Sequence, residues 1–118
     1  LGKIGAYNVD TMEEVWSHEQ RASFHTGTIS TAGDLVFAGD LDREFKAFDV
    51  NTGEVLWKTR LGTVVQGHPV SFAIDGKQYI AVTSANGGTS PRAVPDVIAT
   101  EIIYPRWGNA IYVFSLPE

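Results

Sequence analysis

The sequence contains no cysteine, so its 118 residues carry no disulfide framework, no thiolate nucleophile and no cysteine zinc ligand. Basic residues are also few: nine Lys and Arg stand against fourteen Asp and Glu, which gives a net charge of −5. Nucleic acids and anionic membranes both need a basic face, so neither is expected as the main partner. The longest apolar runs, such as Ala110–Phe114, are far shorter than the roughly 20 residues of a membrane-spanning helix.

The composition that remains is typical of one folded domain. Apolar residues make up 43% of the chain and charged residues 19%, with many Val, Ile and aromatic side chains. A chain of this length has room for a single core of modest size. Because Leu1 is not an initiator methionine and no signal peptide is visible, the sequence is expected to be a piece of a longer product.

Nine short segments have the alternating or β-branched pattern of strands and are bounded by Gly, Asp or Asn. They are Lys3–Val9, Glu14–Ser17, Thr26–Thr31, Leu35–Gly39, Glu44–Val50, Val55–Thr59, Pro69–Ile74, Gln78–Thr83 and Ala110–Leu116. Tight turns such as Asp75-Gly76-Lys77 separate them, which favours antiparallel hairpins. Val94–Ile103 contains Pro95 and several β-branched residues, so irregular structure is expected there. The pattern predicts an all-β sandwich, barrel or propeller.

An internal repeat favours the propeller. Ile4–Trp16 matches Phe45–Trp57 at a constant offset of 41 residues, and Ala110–Leu116 begins a partial third copy. A period near 40 residues with about four strands per period is typical of propeller blades. The chain is therefore predicted to be one propeller segment. Its parts are a blade piece at 1–17, a full blade at 26–59 and a partial blade at 69–118 with an irregular insertion at 85–107.

The repeated motif has an architectural explanation. Asp49 and Thr52 can hydrogen-bond the backbone of the turn between two strands, and Asp40 is assigned a similar capping role. Gly53 permits a positive φ and offers a flat surface on which an aromatic ring can rest. The tryptophan that ends each copy can then bury on the order of 150–250 Å² against a neighbouring sheet. In the first copy Met12 stands at the glycine position, so a different turn is expected there.

The spacing Ala-x-Asp-x-x-Thr-Gly-x-x-x-Trp, from Ala47 to Trp57, resembles the tryptophan-docking motif of the quinoprotein (PQQ-dependent) alcohol and sugar dehydrogenases. Thr31–Asp40, Asp75–Val82 and Tyr112–Pro117 are similar to segments of the C-terminal portion of that family. The resemblance implies antiparallel β-propeller blades, about two of the eight that the family has. It also implies that the chain is part of a periplasmic enzyme.

The resemblance further implies a cofactor and a metal ion. Family members bind PQQ near the propeller axis beside Ca²⁺ or a lanthanide, and an Asp acts as base while the alcohol is oxidised. The metal ligands and that Asp lie in blades outside the matched portion, so neither a catalytic nor a metal-binding residue is assigned here. Two segments of this chain, 23–28 and 62–69, are expected near PQQ, and we call them the cofactor segments. The first would contribute Phe24 and His25, and the second Gln66 and Gly67 through backbone N–H groups.

Several interpretations stay open. The isolated chain is expected to be inactive, with the remainder of a propeller and a small alcohol or sugar as partners of the parent enzyme. Several copies of the chain could instead close a ring, because two blades alone leave unpaired sheet edges. The alternative function is a non-catalytic propeller of the same repeat type that acts as a scaffold for protein–protein interaction. The absence of the family's tryptophan near His25 favours that alternative.

Overall fold

The computed structural model describes residues 1–85 and 93–115. This part of the chain contains nine strands and one short helix, joined by turns and loops. The elements are β1 Gly2–Tyr7, β2 Glu14–Gln20, β3 Ile29–Ser30, β4 Leu35–Gly39, β5 Glu44–Asp49, β6 Val55–Arg60, β7 Val65–Ile74, β8 Lys77–Ser84, α1 Ala93–Ile98 and β9 Ala110–Ser115. They form sheets β1-β2, β3-β4-β5-β6 and β7-β8-β9, and every strand pair is antiparallel. This confirms the predicted all-β antiparallel class. The predicted last residue of the final strand, Leu116, and part of the insertion lie outside the described residues.

The insertion contains a helix that the sequence analysis did not predict. Irregular structure was expected over Val94–Ile103, and this expectation is wrong for α1, which covers Ala93–Ile98. Pro95 lies in the first turn, where its missing N–H has no intrahelical partner to lose. The N–H of Ala99 donates to the Pro95 carbonyl at 2.9 Å and closes the last turn.

Strand β7 is longer than the predicted Pro69–Ile74. It begins at Val65, and its register against β8 shifts between Gln66 and Val70. A bulge of this kind lets a proline lie inside a strand without removing a hydrogen bond from the ladder. The extension matters because it carries the chain past Gln66 and Gly67, two of the residues expected near the cofactor.

Trp16 joins the first sheet to the second, as the docking motif predicts. Its indole stacks on Phe48 with ring centroids 6.3 Å apart, and Nε1 donates to the carbonyl of Val50 at 2.8 Å. The ring also lies over Gly53, whose φ is +76°, and a β-carbon there would come within 2.6 Å of the indole Cδ2. The contact therefore requires glycine for its backbone conformation and for its lack of a side chain.

Trp57 makes the corresponding contact between the second and third sheets. Its ring centroid lies 5.3 Å from that of Phe114 and 6.2 Å from that of Phe45. Phe114 follows Phe48 by 66 residues, the offset of the third copy of the repeat. The two tryptophans thus each link one sheet to the next along the chain, and apolar clusters fill both sheet-to-sheet interfaces.

The turn that carries Met12 has the same form as the turn that carries Gly53. The N–H of Met12 donates to the Asn8 carbonyl at 2.7 Å, and that of Gly53 donates to the Asp49 carbonyl at 2.8 Å. Asn8 and Asp49 each accept two further backbone N–H groups on a side-chain oxygen. The φ of Met12 is +61°, close to that of Gly53. The expectation of a different turn is wrong, because these side-chain hydrogen bonds hold a non-glycine residue in the left-handed region.

We expect Met12→Gly to leave stability unchanged or to raise the free energy of unfolding by up to about 1 kcal/mol. The left-handed conformation costs an ordinary residue about 1–2 kcal/mol, whereas the freedom of glycine in the unfolded chain costs about 0.5–1 kcal/mol. Met12 is 75% exposed, so little buried area is lost. Urea denaturation measures the change. A loss larger than about 1 kcal/mol would contradict the prediction, since it would require a buried contact of the thioether.

Candidate cofactor site

The loops that follow β2, β4, β6 and β8 lie at one edge of the three sheets. Backbone hydrogen bonds connect them: Leu41 N–H donates to the Ser23 carbonyl at 2.9 Å and Leu61 N–H to the Arg43 carbonyl at 2.7 Å. The N–H of Ala85 donates to the carbonyl of Val64, also at 2.9 Å. We call residues 21–28, 40–43, 61–67 and 85 the loop edge.

The two segments that the sequence analysis places near a cofactor meet at the loop edge. Thr26 pairs with Gly67 in a parallel bridge, and the N–H of Gly27 donates to the Gly67 carbonyl at 2.8 Å. The imidazole of His68 covers Gly27, where a β-carbon would lie 3.0 Å from its Cε1. Segments far apart in the sequence therefore form one continuous surface between the second and third sheets.

The end of β4 lies between these two segments and is bonded to both. On one side, His25 N–H donates to the Gly39 carbonyl at 3.1 Å, and Gly39 N–H donates to the Thr26 hydroxyl at 2.8 Å. On the other side, Val65 N–H donates to the Asp40 carbonyl at 3.1 Å. A β-carbon on Gly39 would come within 2.6 Å of the Val65 Cβ, so only glycine allows this close approach.

The predicted cofactor residues differ in their surroundings. The Phe24 ring packs against Phe48 at 6.3 Å between centroids, within the apolar cluster between the first two sheets. Its contacts are those of a core aromatic, and its cofactor role stays a prediction. His25 and Gln66 are half-buried at the loop edge, and Gly67 is exposed with a φ of +94°. These three residues lie at the loop edge and are partly or fully exposed.

A buried polar cluster beneath the loop edge was missed. Asp40 is 1% exposed, and its Oδ2 accepts from Gln20 Nε2 at 2.7 Å and lies 3.3 Å from Lys46 Nζ. Its Oδ1 accepts the N–H groups of Asp42 and Glu44, each at 3.0 Å, which confirms the capping role. Lys46 Nζ also donates to Gln20 Oε1 at 2.5 Å. We call Asp40, Gln20 and Lys46 the Asp40 node.

Burial raises the pKa of the Asp40 carboxyl above its ordinary value of 3.8. The hydrogen bonds from the Glu44 backbone and from Gln20, and the charge of Lys46, act in the opposite direction. One signal in the sequence could have revealed the node. Lys46 lies on the same face of its strand as Phe48, and a lysine next to a core phenylalanine requires a buried partner.

An ion pair and hydrogen bonds connect the described part of the β8–β9 loop to both sides of the loop edge. Arg21 Nε contacts Glu101 Oε1 at 2.7 Å, and Arg21 Nη2 donates to the Ile98 carbonyl at 2.8 Å. The Thr63 hydroxyl donates to the Pro105 carbonyl at 2.5 Å. The pairing with Arg21 lowers the pKa of the Glu101 carboxyl. The insertion thus spans from the end of β2 to the start of β7, beside both cofactor segments.

An apolar groove of about 220 Å³ lies elsewhere, between the second and third sheets. Phe37, Trp57 and Phe114 line it, and Thr31 and Gln78 place it at the edge opposite the loop edge. It is therefore separate from the candidate cofactor surface. Among residues 1–85 and 93–115, no three His, Asp or Glu side chains are arranged to hold a metal ion.

The match to a known family rests on most of the chain. A family model described as "Glucose/ethanol/alcohol dehydrogenase, beta-propeller domain", of the PQQ type, matches residues 1–80. The chain belongs to this family. The match covers both complete copies of the docking motif and both cofactor segments, and it confirms the resemblance on which the sequence analysis relied.

Individual PQQ dehydrogenases extend the match to nearly the whole chain. The chain is 37% identical over 118 residues to the quinoprotein ethanol dehydrogenase of Pseudomonas putida, covering 99% of this chain and 19% of that protein. It is 42% identical over 129 residues to methanol dehydrogenase [cytochrome c] subunit 1 of Methylorubrum extorquens, covering 98% and 21%. A solved europium-containing methanol dehydrogenase superposes with a TM-score of 0.80 at 32% identity, covering 97% and 23%.

These similarities confirm that the three sheets are blades of a PQQ dehydrogenase propeller. The chain spans about a fifth of the length of the relatives it matches. In the part of the chain that the structure describes, no helix has the length and apolar character needed to cross a membrane.

Proposed function

We propose that this chain forms blades of a periplasmic PQQ-dependent dehydrogenase that oxidises an alcohol or sugar, and that its loop edge forms part of the cofactor surround. The bridge between Thr26 and Gly67 carries the proposal, because it unites the two segments expected near PQQ. An alcohol is the favoured substrate, since the relatives described above are named ethanol and methanol dehydrogenases.

The residues at the loop edge fit such a cofactor. PQQ is a flat, anionic molecule, and the exposed Gly67, with a φ of +94°, allows close approach of the backbone. Gln66 and the imidazole of His25 are half-buried beside it and supply polar groups. When bound, the quinone takes up the electrons of the alcohol. The residues of this chain would bind and orient it, and the Ca²⁺ or lanthanide ligands and the catalytic base would come from other blades.

The two outer faces of the described segment favour the remainder of a propeller as its partner over further copies. On the first sheet the face away from the second sheet carries an ion pair, with Lys3 Nζ 2.9 Å from Glu14 Oε1, next to the exposed Tyr7 and Val15. On the third sheet the corresponding face carries exposed Val70, Phe72 and Val113. Head-to-tail packing of identical copies would bury the charged pair against that apolar face, which is unfavourable.

We expect Gly67→Ala to weaken PQQ binding about tenfold, because the β-carbon would crowd Thr83 Oγ1 at 3.2 Å and strain the left-handed φ of +94° within the proposed cofactor surround. A tenfold change corresponds to about 1.4 kcal/mol. The test uses the longest native polypeptide that contains residues 1–118, titrated with PQQ in the presence of Ca²⁺ or La³⁺. Binding is followed by quinone absorbance, and oxidation of ethanol, methanol and glucose by reduction of a dye. The isolated chain is expected to show no turnover.

Gly76→Ala is the matched control for this experiment. Gly76 has a similar positive φ of +77°, and its β-carbon would meet nothing within 4 Å. It lies in the β7–β8 turn, away from the loop edge, so its replacement should leave PQQ affinity within about twofold. Failure of the unmodified polypeptide to bind PQQ would overturn the proposed function and favour the scaffold alternative.

A further inference from the structure

We propose that Asp40 is a positioning residue for the cofactor surface and that the Asp40 node fixes the end of β4 on which both cofactor segments depend. The proposal rests on the proposed function for its link to PQQ. Asp40 is 1% exposed, and its two carboxylate oxygens accept from different parts of the fold. Oδ2 contacts Gln20 of the first sheet and Lys46 of the second, and Oδ1 accepts two N–H groups of the turn after β4.

The backbone of the same residue contacts both cofactor segments. The Asp40 carbonyl accepts the N–H of Val65, and Asp40 forms an antiparallel bridge with Phe24. Its neighbour Gly39 accepts the N–H of His25. A shift of Asp40 would therefore move the His25 side and the Val65 side of the loop edge together. No other residue among those described combines a buried carboxylate with backbone contacts to both segments.

An amide cannot replace this carboxylate. Oδ2 faces the Nε2 donor of Gln20 and the Nζ donor of Lys46, while Oδ1 faces the N–H donors of Asp42 and Glu44. In Asp40→Asn, whichever way the amide turns, its NH₂ group faces donors on one side. Buried donors without an acceptor are unfavourable, so the residue is expected to move and to loosen the contacts of its backbone.

Hydrogen exchange tests the positioning role without any cofactor, in the longest native polypeptide that contains the segment. In Asp40→Asn we expect the amides of His25, Gly27 and Val65 to exchange at least about tenfold faster, as in a local opening. The amide of Thr31, bonded to the Leu35 carbonyl at the opposite edge, should keep its rate. Unchanged exchange at the three loop-edge amides in the folded variant would overturn the positioning role.

PQQ affinity tests the link to the cofactor. Asp40→Asn is expected to weaken PQQ binding about tenfold or more, and Asp75→Asn about twofold or less. Asp75 is the matched control because it is an exposed aspartate in the β7–β8 turn, away from the loop edge, and its φ of +51° is one that asparagine adopts readily. Faster exchange with unchanged PQQ affinity would overturn the cofactor link and leave the positioning role. A native protein that binds no PQQ would instead refute the proposed function, and exchange would still decide the role of Asp40.

A milder variant covers the case in which Asp40→Asn does not fold. Gln20→Met removes the Nε2 donor to Asp40 and to the Ala22 carbonyl and the Oε1 acceptor of Lys46, and it keeps the Asp40–Lys46 pair. It is expected to accelerate exchange at the His25 and Val65 amides about threefold or more, through the same loosening. Rates equal to those of the unmodified protein at both amides would contradict the role of the node.

Discussion

Gly53→Ala is expected to lower the free energy of unfolding by about 2–5 kcal/mol, because two costs add at this position. The left-handed φ of +76° costs a residue with a β-carbon about 1–2 kcal/mol. In addition, the new β-carbon would lie 2.6 Å from the indole Cδ2 of Trp16, and overpacking of this kind costs about 1–3 kcal/mol. Urea denaturation followed by circular dichroism measures the sum.

The contribution of the indole can be separated from that of the backbone. Gly76→Ala imposes the same left-handed strain, at +77°, with no atom near the new β-carbon, so it should cost only about 1–2 kcal/mol. In a Trp16→Ala background, Gly53→Ala should cost no more than Gly76→Ala does. Equal costs for the two glycine variants in the unmodified background would contradict the docking of Trp16 on Gly53.

The docking contacts could be predicted because they are encoded locally. Within one copy of the repeat, Asp49 caps its turn, Gly53 reverses it and Trp57 follows at a fixed spacing. The repetition of this motif then predicts that the tryptophan of one copy docks on the next copy, as Trp16 does on Gly53. The same local encoding explains why the Met12 turn was predicted wrongly. The capping side chain of Asn8 determines that turn more strongly than the residue at the glycine position does.

The Asp40 node could not be predicted in the same way. Asp40 follows β4, Lys46 lies in the neighbouring β5 and Gln20 ends β2, and only the packing of the first sheet on the second brings Gln20 to the other two. From the sequence, Asp40 looks like a capping residue, which is correct for one of its two oxygens. Helix α1 was missed for a different reason: Pro95 lies in its first turn, where proline is tolerated, but in a six-residue segment that position cannot be distinguished from irregular chain.

Lys46→Ala is expected to lower the free energy of unfolding by about 3–5 kcal/mol at pH 7, because removing one partner leaves a buried charge without compensation. Lys46 Nζ lies 3.3 Å from Asp40 Oδ2 and 3.9 Å from Glu44 Oε1, and the lysine side chain is 9% exposed. The variant leaves Asp40 with Gln20 and two backbone donors, and no cation. Urea denaturation of the variant and the unmodified chain measures the difference.

The free energy of unfolding lost in Lys46→Ala should depend on pH, and the folded-state pKa of Asp40 sets the direction of this dependence. The folded-state pKa of the Asp40 carboxyl lies above the ordinary 3.8, so the folded chain binds the Asp40 proton more tightly than the unfolded chain does. The stabilisation from Asp40 is therefore complete below about pH 3.8 and is lost as pH rises through the folded pKa. Removing Lys46 takes away a positive charge that lowers the pKa of Asp40. The folded-state pKa then rises further, so the pH range over which Asp40 destabilises the folded chain becomes wider. The destabilisation by Lys46→Ala should thus be larger at pH 7 than at pH 4.

Lys58→Ala is the matched control, since Lys58 pairs directly with Lys46 across β5 and β6 but points into solvent. Its side chain is 62% exposed, and its Nζ lies 3.6 Å from Glu44 Oε2. Exposed ion pairs of this kind contribute about 0–1 kcal/mol, so the control should change stability by less than about 1 kcal/mol at either pH. A Lys46 variant that matches the control at pH 7, or that loses the same stability at pH 4 and pH 7, would show that Lys46 does not compensate the Asp40 charge.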